Sequence, residues 1–175
     1  MKIGIIGAGN LGQSIAKGIL QSDGATSMYL SKRNVASLEA FKAFSQVTLS
    51  TDNVTLVKQS DILIFAVQPG QFKGILAEIK EFLTEKHVVI STITGFSIQK
   101  IEALIGAHHF IIRAMPNTAI SVGASMTCLC ANEVGEKRIA IAKAIFDRMG
   151  KTMCIPETKM QAATVIGASG IAFWM

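Results

Sequence analysis

The fold is decided by two consecutive stretches at the start of the chain, Lys2-Ile3-Gly4-Ile5-Ile6 and Gly7-Ala8-Gly9-Asn10-Leu11-Gly12. The first is a short apolar run whose length and density indicate a buried β-strand. The second has the spacing G-x-G-x-x-G and leads into residues 11–21, where apolar or small side chains recur at helical intervals. A glycine-rich turn of this spacing between a strand and a helix, at the start of a βαβ unit, is typical of a turn that binds the phosphates of a dinucleotide.

Each glycine of this turn has a separate expected role. Gly7 allows the chain to turn tightly, Gly9 lets the backbone approach a pyrophosphate, and Gly12 lets the helix pack close to the sheet. The N-terminus of the helix then offers unpaired N–H groups and the positive end of its dipole to the phosphates. The alternative is a glycine-rich turn of the same shape that holds no ligand.

Outward from this turn, apolar runs of strand length alternate with stretches of helical periodicity. This alternation predicts an α/β fold of the Rossmann-like, doubly wound type, with a mostly parallel sheet covered by helices on both faces. Asn34 is the expected N-cap of one helix, and Asp52 or Asn53 caps a brief helix that ends near Lys58. The predicted strands are 2–6, 27–31, 47–49, 61–67, 87–92, 110–115, 122–130 and 152–155, and the longer predicted helices are 11–21, 35–45, 69–83, 97–105 and 133–149, the last with Gly150 as its C-terminal cap.

The composition excludes several classes of protein. Half of the 175 residues are hydrophobic and 17% are charged, which excludes a disordered chain. The length suits one domain, or one domain with part of a second. The net charge of +5 is scattered, with Lys32-Arg33 and Lys137-Arg138 as the only adjacent basic pairs, so we expect no nucleic-acid partner. No apolar stretch reaches the roughly 20 residues of a membrane span, so we expect no membrane partner.

The cysteines and histidines do not indicate a metal site. The three cysteines have no histidine at ligand spacing around them, and we expect them to be buried and reduced, as in a cytoplasmic protein. His87 opens a predicted strand, and His108 and His109 precede another. They should therefore lie at the edge of the sheet opposite the binding edge, and we assign them no catalytic role.

The tip of the second predicted strand distinguishes the two nicotinamide dinucleotides. Sites specific for NAD place an acid there, about 20 residues after the glycines, to bind the 2′-hydroxyl of the ribose. This chain has Ser31-Lys32-Arg33-Asn34 and no acid. A hydroxyl followed by two cations suits a 2′-phosphate, because arginine holds phosphate in a charge-assisted fork. The sequence therefore favours NADPH over NADH, and the alternative is an ordinary solvated basic turn.

A new helical pattern begins at about Glu157 and continues to the last residue. No charged residue follows Lys159, and the sequence ends on Phe173-Trp174-Met175 with no cap or turn. We expect from this pattern that the chain is shorter than the natural protein and that a second, mostly helical domain follows. We also expect the apolar segment 166–175 to make this form of the chain self-associate.

Five segments of the sequence match the motifs of one known family, and they occur in the same order along the chain. They are Ile6-Gly7-Ala8-Gly9-Asn10-Leu11-Gly12 with Ala16-Lys17-Gly18, Ala66-Val67-Gln68-Pro69, Ser91-Thr92-Ile93-Thr94-Gly95, Arg113-Ala114-Met115-Pro116-Asn117-Thr118, and Met160-Gln161-Ala162-Ala163-Thr164 leading into Ala168-Ser169-Gly170. On these segments the sequence resembles the pyrroline-5-carboxylate reductase family over essentially all 175 residues.

Two segments depart from the family pattern. The usual Val-Lys-Pro-Gln is Val67-Gln68-Pro69-Gly70 here, which removes a cation near the cofactor. The usual Ser-Gly-Ser-Gly-Pro-Ala-Tyr is Gly167-Ala168-Ser169-Gly170-Ile171-Ala172-Phe173, which loses a helix-kinking proline and a phenol. Both changes indicate a divergent branch.

The resemblance implies an NADP-binding Rossmann domain over residues 1–156 and the start of a C-terminal helical dimerisation domain at 157–175. It implies an enzyme that uses NADPH to reduce the C=N bond of 1-pyrroline-5-carboxylate, which gives L-proline in the last step of proline biosynthesis. It also implies a small-molecule substrate, a cytoplasmic location, a homodimer or higher homo-oligomer when full length, and little or no activity in this shorter form.

The resemblance also implies where the cofactor and substrate bind, at the carboxyl edge of the sheet, where ligands of open α/β sheets bind on geometric grounds. The pocket for nicotinamide and substrate is expected to include Met115-Pro116-Asn117 and Ser169, against the alternatives of a structural Pro-Asn turn and of helix packing. No catalytic residue is assigned and no metal is expected. The cofactor-binding residues are expected to be Ile6, Gly7, Ala8, Gly9, Asn10, Leu11, Gly12, Ser31, Lys32, Arg33, Asn53, Ala66, Val67, Gln68, Pro69, Thr92, Ile93 and Thr94.

Two other functions stay open at this point. One is another NADP-dependent dehydrogenase with a Rossmann N-terminal half, such as a β-hydroxyacid dehydrogenase. The other is a non-catalytic nucleotide-binding homologue, which the two departures from the family pattern would suit. Sequence beyond residue 175 would distinguish the first of these from an imine reductase. Turnover with NADPH and the imine would distinguish an imine reductase from the second.

Overall fold

The computed structural model describes residues 1–21 and 27–169, with the backbone alone for the last two of these. Within these ranges the chain forms an eight-stranded sheet in the order β3-β2-β1-β4-β5-β6-β7-β8. Every neighbouring pair is parallel except β6 and β7, which are antiparallel. The order 3-2-1-4-5-6 is that of a doubly wound Rossmann sheet, which confirms the predicted fold class. The strands are β1 (Lys2–Ile6), β2 (Ser27–Ser31), β3 (Val47–Ser50), β4 (Ile62–Phe65), β5 (Val88–Ser91), β6 (Phe110–Met115), β7 (Ser125–Ala131) and β8 (Gly150–Cys154).

Helices connect the strands and cover both faces of the sheet. Two of them start at side-chain caps: the Asp52 carboxylate, an expected cap, accepts the amides of Val54 and Thr55, and the Ser97 hydroxyl, which was not predicted as a cap, accepts that of Lys100. Of the two candidate caps for the brief helix, Asp52 is therefore the one used. The α-helices are α1 (Asn10–Gln21), α2 (Asn53–Lys58), α3 (Pro69–Ile79), α4 (Ile98–Ile105), α5 (Ile139–Phe146) and α6 (Met160–Thr164).

The core lies in two layers, one on each face of the sheet, because successive side chains of a strand point to opposite faces. On one face, Ile3 and Ile5 of β1 pack with the apolar sides of α1 and α5. On the other face, Leu63 and Phe65 of β4 pack with α3 and α4. Both faces of the parallel strands are thus buried, which leaves the ends of the strands as the places where a ligand can enter.

The segment predicted as an α-helix over 35–45 is instead a 3-10 helix, Val35–Ala43. Asn34 caps it as expected, since its side-chain oxygen accepts the amide of Ala36. Only Leu38 and Phe41 of this segment are buried. These two are three residues apart, which matches the three residues per turn of a 3-10 helix, and the segment has no wider apolar face to favour an α-helix.

The C-terminal half differs from the prediction in two further elements. The strand predicted over 122–130 begins later, because a 3-10 helix, Thr118–Val122, follows β6 and ends at Gly123 with a positive φ of 70°. The helix predicted over 133–149 has only its middle, α5, in the α conformation, with short 3-10 segments on either side. Gly150, predicted as the C-terminal cap, does follow the last 3-10 segment, Asp147–Met149, as its cap, and it is also the first residue of β8, where it pairs with Ser125 of β7.

The helical pattern predicted from Glu157 is present as far as the structure describes it. A 3-10 turn, Glu157–Lys159, leads into α6, and a π-helical turn, Val165–Ser169, follows. Residues 170–175, which include most of the segment expected to drive self-association, lie outside the described residues. None of the helices in the described ranges has the length and apolarity needed to cross a membrane.

Candidate functional site

A cavity of about 1240 Å³ opens at the carboxyl edge of the sheet. It lies where β1 and β2 end next to each other and where the chain leaves β4 and β5, which is the edge at which ligands of doubly wound sheets bind. Fourteen of the residues predicted to bind the cofactor contribute to its wall: Ile6, Gly7, Gly9, Asn10, Leu11, Ser31, Lys32, Arg33, Asn53, Ala66, Val67, Gln68, Pro69 and Thr92.

The glycine-rich turn has a geometry that leaves one side open for a ligand. Gly7 has a positive φ of 95°, and a Cβ there would lie 2.8 Å from the carbonyl oxygen of Ala66. A Cβ on Gly12 would overlap the carbonyl oxygen of Gly7, so the helix and the turn touch directly. At Gly9, by contrast, nothing lies within 4 Å of the position of a Cβ. The glycines at 7 and 12 therefore serve the fold, and the glycine at 9 leaves space beside the backbone.

The N-terminus of α1 faces this open side of the turn. The amide of Gln13 makes the first helical hydrogen bond, 2.9 Å to the carbonyl of Gly9, so the amides of Asn10, Leu11 and Gly12 lie ahead of the helical ladder. The first turn of α1 contains no acid. Its positive dipole end is therefore available to an anion in the cavity.

At the other end of the cavity, polar side chains surround the tip of β2. The carbonyl of Ser31 accepts the amides of Gly7 and Ala8 at 3.1 and 2.9 Å, which ties the glycine turn to this tip. The ammonium of Lys32 donates to the hydroxyl of Ser37 at 2.7 Å, and Arg33 is exposed at the cavity wall. Two cations thus stand at this end of the cavity.

Ser31 also begins a chain of side-chain hydrogen bonds. Its hydroxyl donates to Oδ1 of Asn53 at 2.6 Å, and Nδ2 of Asn53 donates to Oε2 of Glu78 at 3.2 Å. Ser31 is buried, Asn53 is half-buried and Glu78 is exposed. This chain brings a carboxylate into the wall of the cavity near the tip of β2, although that tip itself carries no acid.

Six residues of the cavity wall were not predicted from the sequence: Asn34, Thr51, Gln71, Gly74, Ile75 and Glu78. The last four lie on α3 at intervals of three, four and seven residues from Gln71, which is the spacing of one helix face. This face lies beside the buried stripe of Phe72, Leu76 and Ile79. In the sequence, this face could have been recognised as a row of mixed polar and apolar residues beside an apolar row, a pattern that suits a helix bordering a cavity.

Four predicted cofactor residues do not contribute to the cavity wall. Ala8 and Gly12 are buried in the turn, Ile93 is buried in the core, and Thr94 is exposed beyond the end of β5. Their assignment to the cofactor stays a prediction.

The residues predicted for the nicotinamide and substrate pocket are outside the wall of this cavity: Met115 ends β6, Pro116 and Asn117 follow it, and Ser169 ends the turn after α6. Met115 and Pro116 are buried. Asn117 is half-buried, and its side-chain oxygen accepts the amide of Ala119 at 3.2 Å, which caps the 3-10 helix that follows. This bond supports the structural turn as at least one role of Asn117. The side chain of Ser169 lies outside what the structure describes, and both substrate-side assignments stay predictions.

The histidines and cysteines lie away from the cavity. His87 and His109 precede β5 and β6, at the opposite edge of the sheet, and both are buried. Cys130 is buried, and burial raises the pKa of its thiol to about 11. Cys154, expected to be buried, is exposed instead, because it lies on the edge strand β8. Within the described residues no cluster of three or more His, Cys, Asp or Glu side chains is placed to hold a metal ion.

The mostly parallel sheet, the glycine turn and the cavity at the carboxyl edge define a dinucleotide-binding domain of the Rossmann-like class. Within this class, residues 2–95 match the model of the family described as NADP oxidoreductase, coenzyme F420-dependent. The chain belongs to this family.

The chain is also similar to pyrroline-5-carboxylate reductases over nearly its whole length. Pyrroline-5-carboxylate reductase 1 of Dictyostelium discoideum is 34% identical over 98% of this chain and 34% of its own length. A pyrroline-5-carboxylate reductase structure from Coxiella burnetii superimposes with a TM-score of 0.91 at 30% identity, covering 98% of this chain and 65% of that one. A Plasmodium falciparum pyrroline carboxylate reductase with NADP bound has a TM-score of 0.86 at 27% identity, over 99% of this chain and 64% of that one. The chain thus spans one third to two thirds of the length of these proteins.

Proposed function

We propose that this chain binds NADPH and forms the cofactor-binding part of an enzyme that reduces 1-pyrroline-5-carboxylate to L-proline. The observation that carries the proposal is that the glycine turn, the N-terminus of α1 and the cations Lys32 and Arg33 all border one cavity. The similarity to pyrroline-5-carboxylate reductases over 98% to 99% of the chain supports the cyclic imine as the substrate.

The residues of the cavity fit a dinucleotide that carries a 2′-phosphate. The open space beside Gly9 lets an anionic group reach the backbone, and the N-terminus of α1 offers amides and a positive dipole end to it. Lys32 and Arg33 provide positive charge at the tip of β2, where the second ribose of a dinucleotide lies in this fold. We therefore propose NADPH as the preferred cofactor, with NADH less favoured.

The chain's own residues would bind and orient both reactants. A bound dinucleotide supplies a hydride that, with a proton, converts the C=N bond of the imine to the C–N bond of a secondary amine. Residues 66–69 and Thr92, at the ends of β4 and β5, border the cavity and would hold the nicotinamide half against the sheet edge. Met115, Pro116, Asn117 and Ser169 are proposed for the wall that faces the substrate. This reaction needs neither a nucleophile nor a metal from the chain.

The test separates cofactor binding from turnover. The 175-residue chain is titrated with NADPH by nucleotide fluorescence, and consumption of NADPH is then followed with 1-pyrroline-5-carboxylate, with proline measured as the product. Because the relatives are longer than this chain, we expect it to bind NADPH with little turnover. A chimera that joins it to the part of the Coxiella burnetii protein that it does not cover should turn over the imine.

Two outcomes would contradict the proposal. A folded chain that does not bind NADPH would exclude the cofactor assignment. A folded chimera that binds NADPH but forms no proline, while the parent Coxiella burnetii protein does so in the same assay, would exclude the reaction. 1-Pyrroline without the carboxylate is the matched control for substrate recognition.

We further propose that the complete protein acts in the cytoplasm as a homodimer or higher homo-oligomer. The free thiols of Cys128, Cys130 and Cys154 suit a reducing compartment. Val165 and Ile166, 57% and 72% exposed after α6, offer apolar surface that a second copy would cover. Sedimentation over a concentration series tests the association, and a monomer at every concentration would contradict it.

A further inference from the structure

The hydrogen-bond chain from Ser31 through Asn53 to Glu78 sets which polar atoms the cavity offers beside the tip of β2. The Ser31 hydroxyl donates to Oδ1 of Asn53 at 2.6 Å, and Nδ2 of Asn53 donates to Oε2 of Glu78 at 3.2 Å. All three residues border the cavity. They come from β2, α2 and α3, so this contact exists only in the folded chain.

The carboxylate of Glu78 fixes the direction of this chain of bonds. An ionised carboxylate only accepts hydrogen bonds, so the NH₂ group of Asn53 must face Glu78. The carbonyl oxygen of Asn53 then faces Ser31, and this oxygen takes the single hydrogen of the Ser31 hydroxyl. Ser31 is left with lone pairs only, and it can accept a hydrogen bond from a ligand but cannot donate one.

This direction suits a ribose hydroxyl and does not suit a phosphate. A 2′-hydroxyl can donate to the lone pairs of Ser31, whereas the oxygens of an ionised phosphate accept and would face both these lone pairs and the nearby charge of Glu78. The attraction for a 2′-phosphate therefore comes from the cations Lys32 and Arg33. Ser31, predicted from its sequence position to assist phosphate binding, has the opposite polarity in the structure.

The contacts of the Asn53 and Glu78 side chains are not explained by a role in helix capping or in core packing. The N-cap of α2 is Asp52, whose carboxylate accepts the amides of Val54 and Thr55 at 2.9 and 3.2 Å. Glu78 lies on the exposed side of α3, outside both core layers. Neither side chain of the Asn53–Glu78 pair is therefore needed to cap a helix or to fill the core.

We propose that Glu78 is a positioning residue for cofactor selection. Acting through Asn53, it holds Ser31 as an acceptor and so limits the preference for NADPH over NADH. This inference rests on the proposed function, because it assumes that the cavity holds a nicotinamide dinucleotide. Replacement of Glu78 by glutamine allows the amide group of Asn53 to rotate by 180°, because the glutamine NH₂ can donate to Oδ1 of Asn53. The NH₂ of Asn53 can then donate to the Ser31 oxygen, and the Ser31 hydroxyl can donate its hydrogen to a phosphate.

The test compares the dissociation constants of NADPH and NADH for the wild type and for Glu78→Gln. The variant removes a charge and allows the bonds to reverse, so the ratio of NADH to NADPH dissociation constants should rise about fivefold to tenfold. Glu81→Gln is the matched control, because Glu81 follows α3 outside the cavity wall and loses the same charge. Its ratio should stay at the wild-type value. Neither substitution affects a buried residue, so both variants should fold.

Ser31→Ala provides a second, independent readout. In the wild type it should weaken NADH about twofold to tenfold and leave NADPH nearly unchanged, because only NADH carries the 2′-hydroxyl that would donate to Ser31. In the Glu78→Gln background it should weaken NADPH instead. An unchanged ratio in Glu78→Gln, or a loss confined to NADPH when Ser31 is replaced in the wild type, would overturn the inference and leave the proposed function intact. Failure of both dinucleotides to bind the wild type would overturn the proposed function as well.

Discussion

Substituting the glycines at positions 9 and 12 with alanine should separate the two roles of the glycine-rich turn. A Cβ on Gly12 would overlap the carbonyl oxygen of Gly7, and it would lie 3.4 Å from Cγ2 of Ile5. The first neighbour is backbone and cannot rotate away. A Cβ on Gly9 meets nothing within 4 Å, and Gly9 is not among the glycines with a positive φ. Gly12→Ala should therefore damage the fold, and Gly9→Ala should damage ligand binding alone.

The two effects differ in kind as well as in size. Overpacking of this type costs about 1–3 kcal/mol, which lowers the melting temperature of a chain of this length by roughly 2–12 °C for Gly12→Ala. For Gly9→Ala the methyl group enters the open space that we propose for the pyrophosphate. Loss of one hydrogen bond to a charged group costs about 1.5–3 kcal/mol, so NADPH should bind roughly tenfold to a hundredfold more weakly. Its melting temperature should equal that of the wild type or rise slightly, because alanine restricts the unfolded chain.

Thermal unfolding followed by circular dichroism measures the first effect, and titration with NADPH measures the second. The pair of variants controls for itself, because each receives the same methyl group in the same turn. If Gly9→Ala bound NADPH as tightly as the wild type, the pyrophosphate could not lie beside Gly9. If Gly9→Ala lost as much stability as Gly12→Ala, Gly9 would have no open space beside it, and the two glycines would have the same role in the turn.

Three further substitutions test other parts of the structure. Arg33→Ala should weaken NADPH about tenfold or more and leave NADH nearly unchanged, because only NADPH carries the 2′-phosphate; equal losses for both in paired titrations would exclude a role in selection. Burial lowers the pKa of His109 below its usual 6.5, so the unfolded chain binds a proton first as the pH falls through 6.5, and the free energy of unfolding decreases. Denaturant unfolding at several pH values across this range should show a smaller decrease for His109→Gln than for the wild type. Equal decreases in the two proteins would refute this effect of His109. Glu157→Gln should destabilise the chain by about 1.5–3 kcal/mol, because the Glu157 carboxylate accepts hydrogen bonds from the amide of Ile98 and from Arg113, whose side chain is 9% exposed. Glu133→Gln, which changes an exposed residue, is the control. Equal melting temperatures for the two variants would contradict a stabilising role of the ion pair.

The features that depend on neighbouring residues could be predicted from the sequence. Residues 2–12 carry a strand, a turn and the start of a helix within one continuous stretch, and the structure places them as β1, the turn and α1. The alternation of apolar runs and helical periods likewise predicts the doubly wound sheet, because the period of side-chain burial is set within each element. The caps at Asn34 and Asp52 follow from the same local chemistry.

The features that depend on contacts between elements were decided only by the tertiary structure. The sequence predicts an α-helix where the structure has the 3-10 helix Val35–Ala43. How much of this segment packs against the core depends on the rest of the fold, and here only Leu38 and Phe41 are buried. The face of α3 that borders the cavity depends on how the crossover sets this helix against the sheet. The Ser31–Asn53–Glu78 chain joins residues that are 22 and 25 positions apart. Sequence spacing predicts which residue types stand at the end of a strand, but the direction in which their hydrogen bonds point is determined by the partner that folding brings beside them.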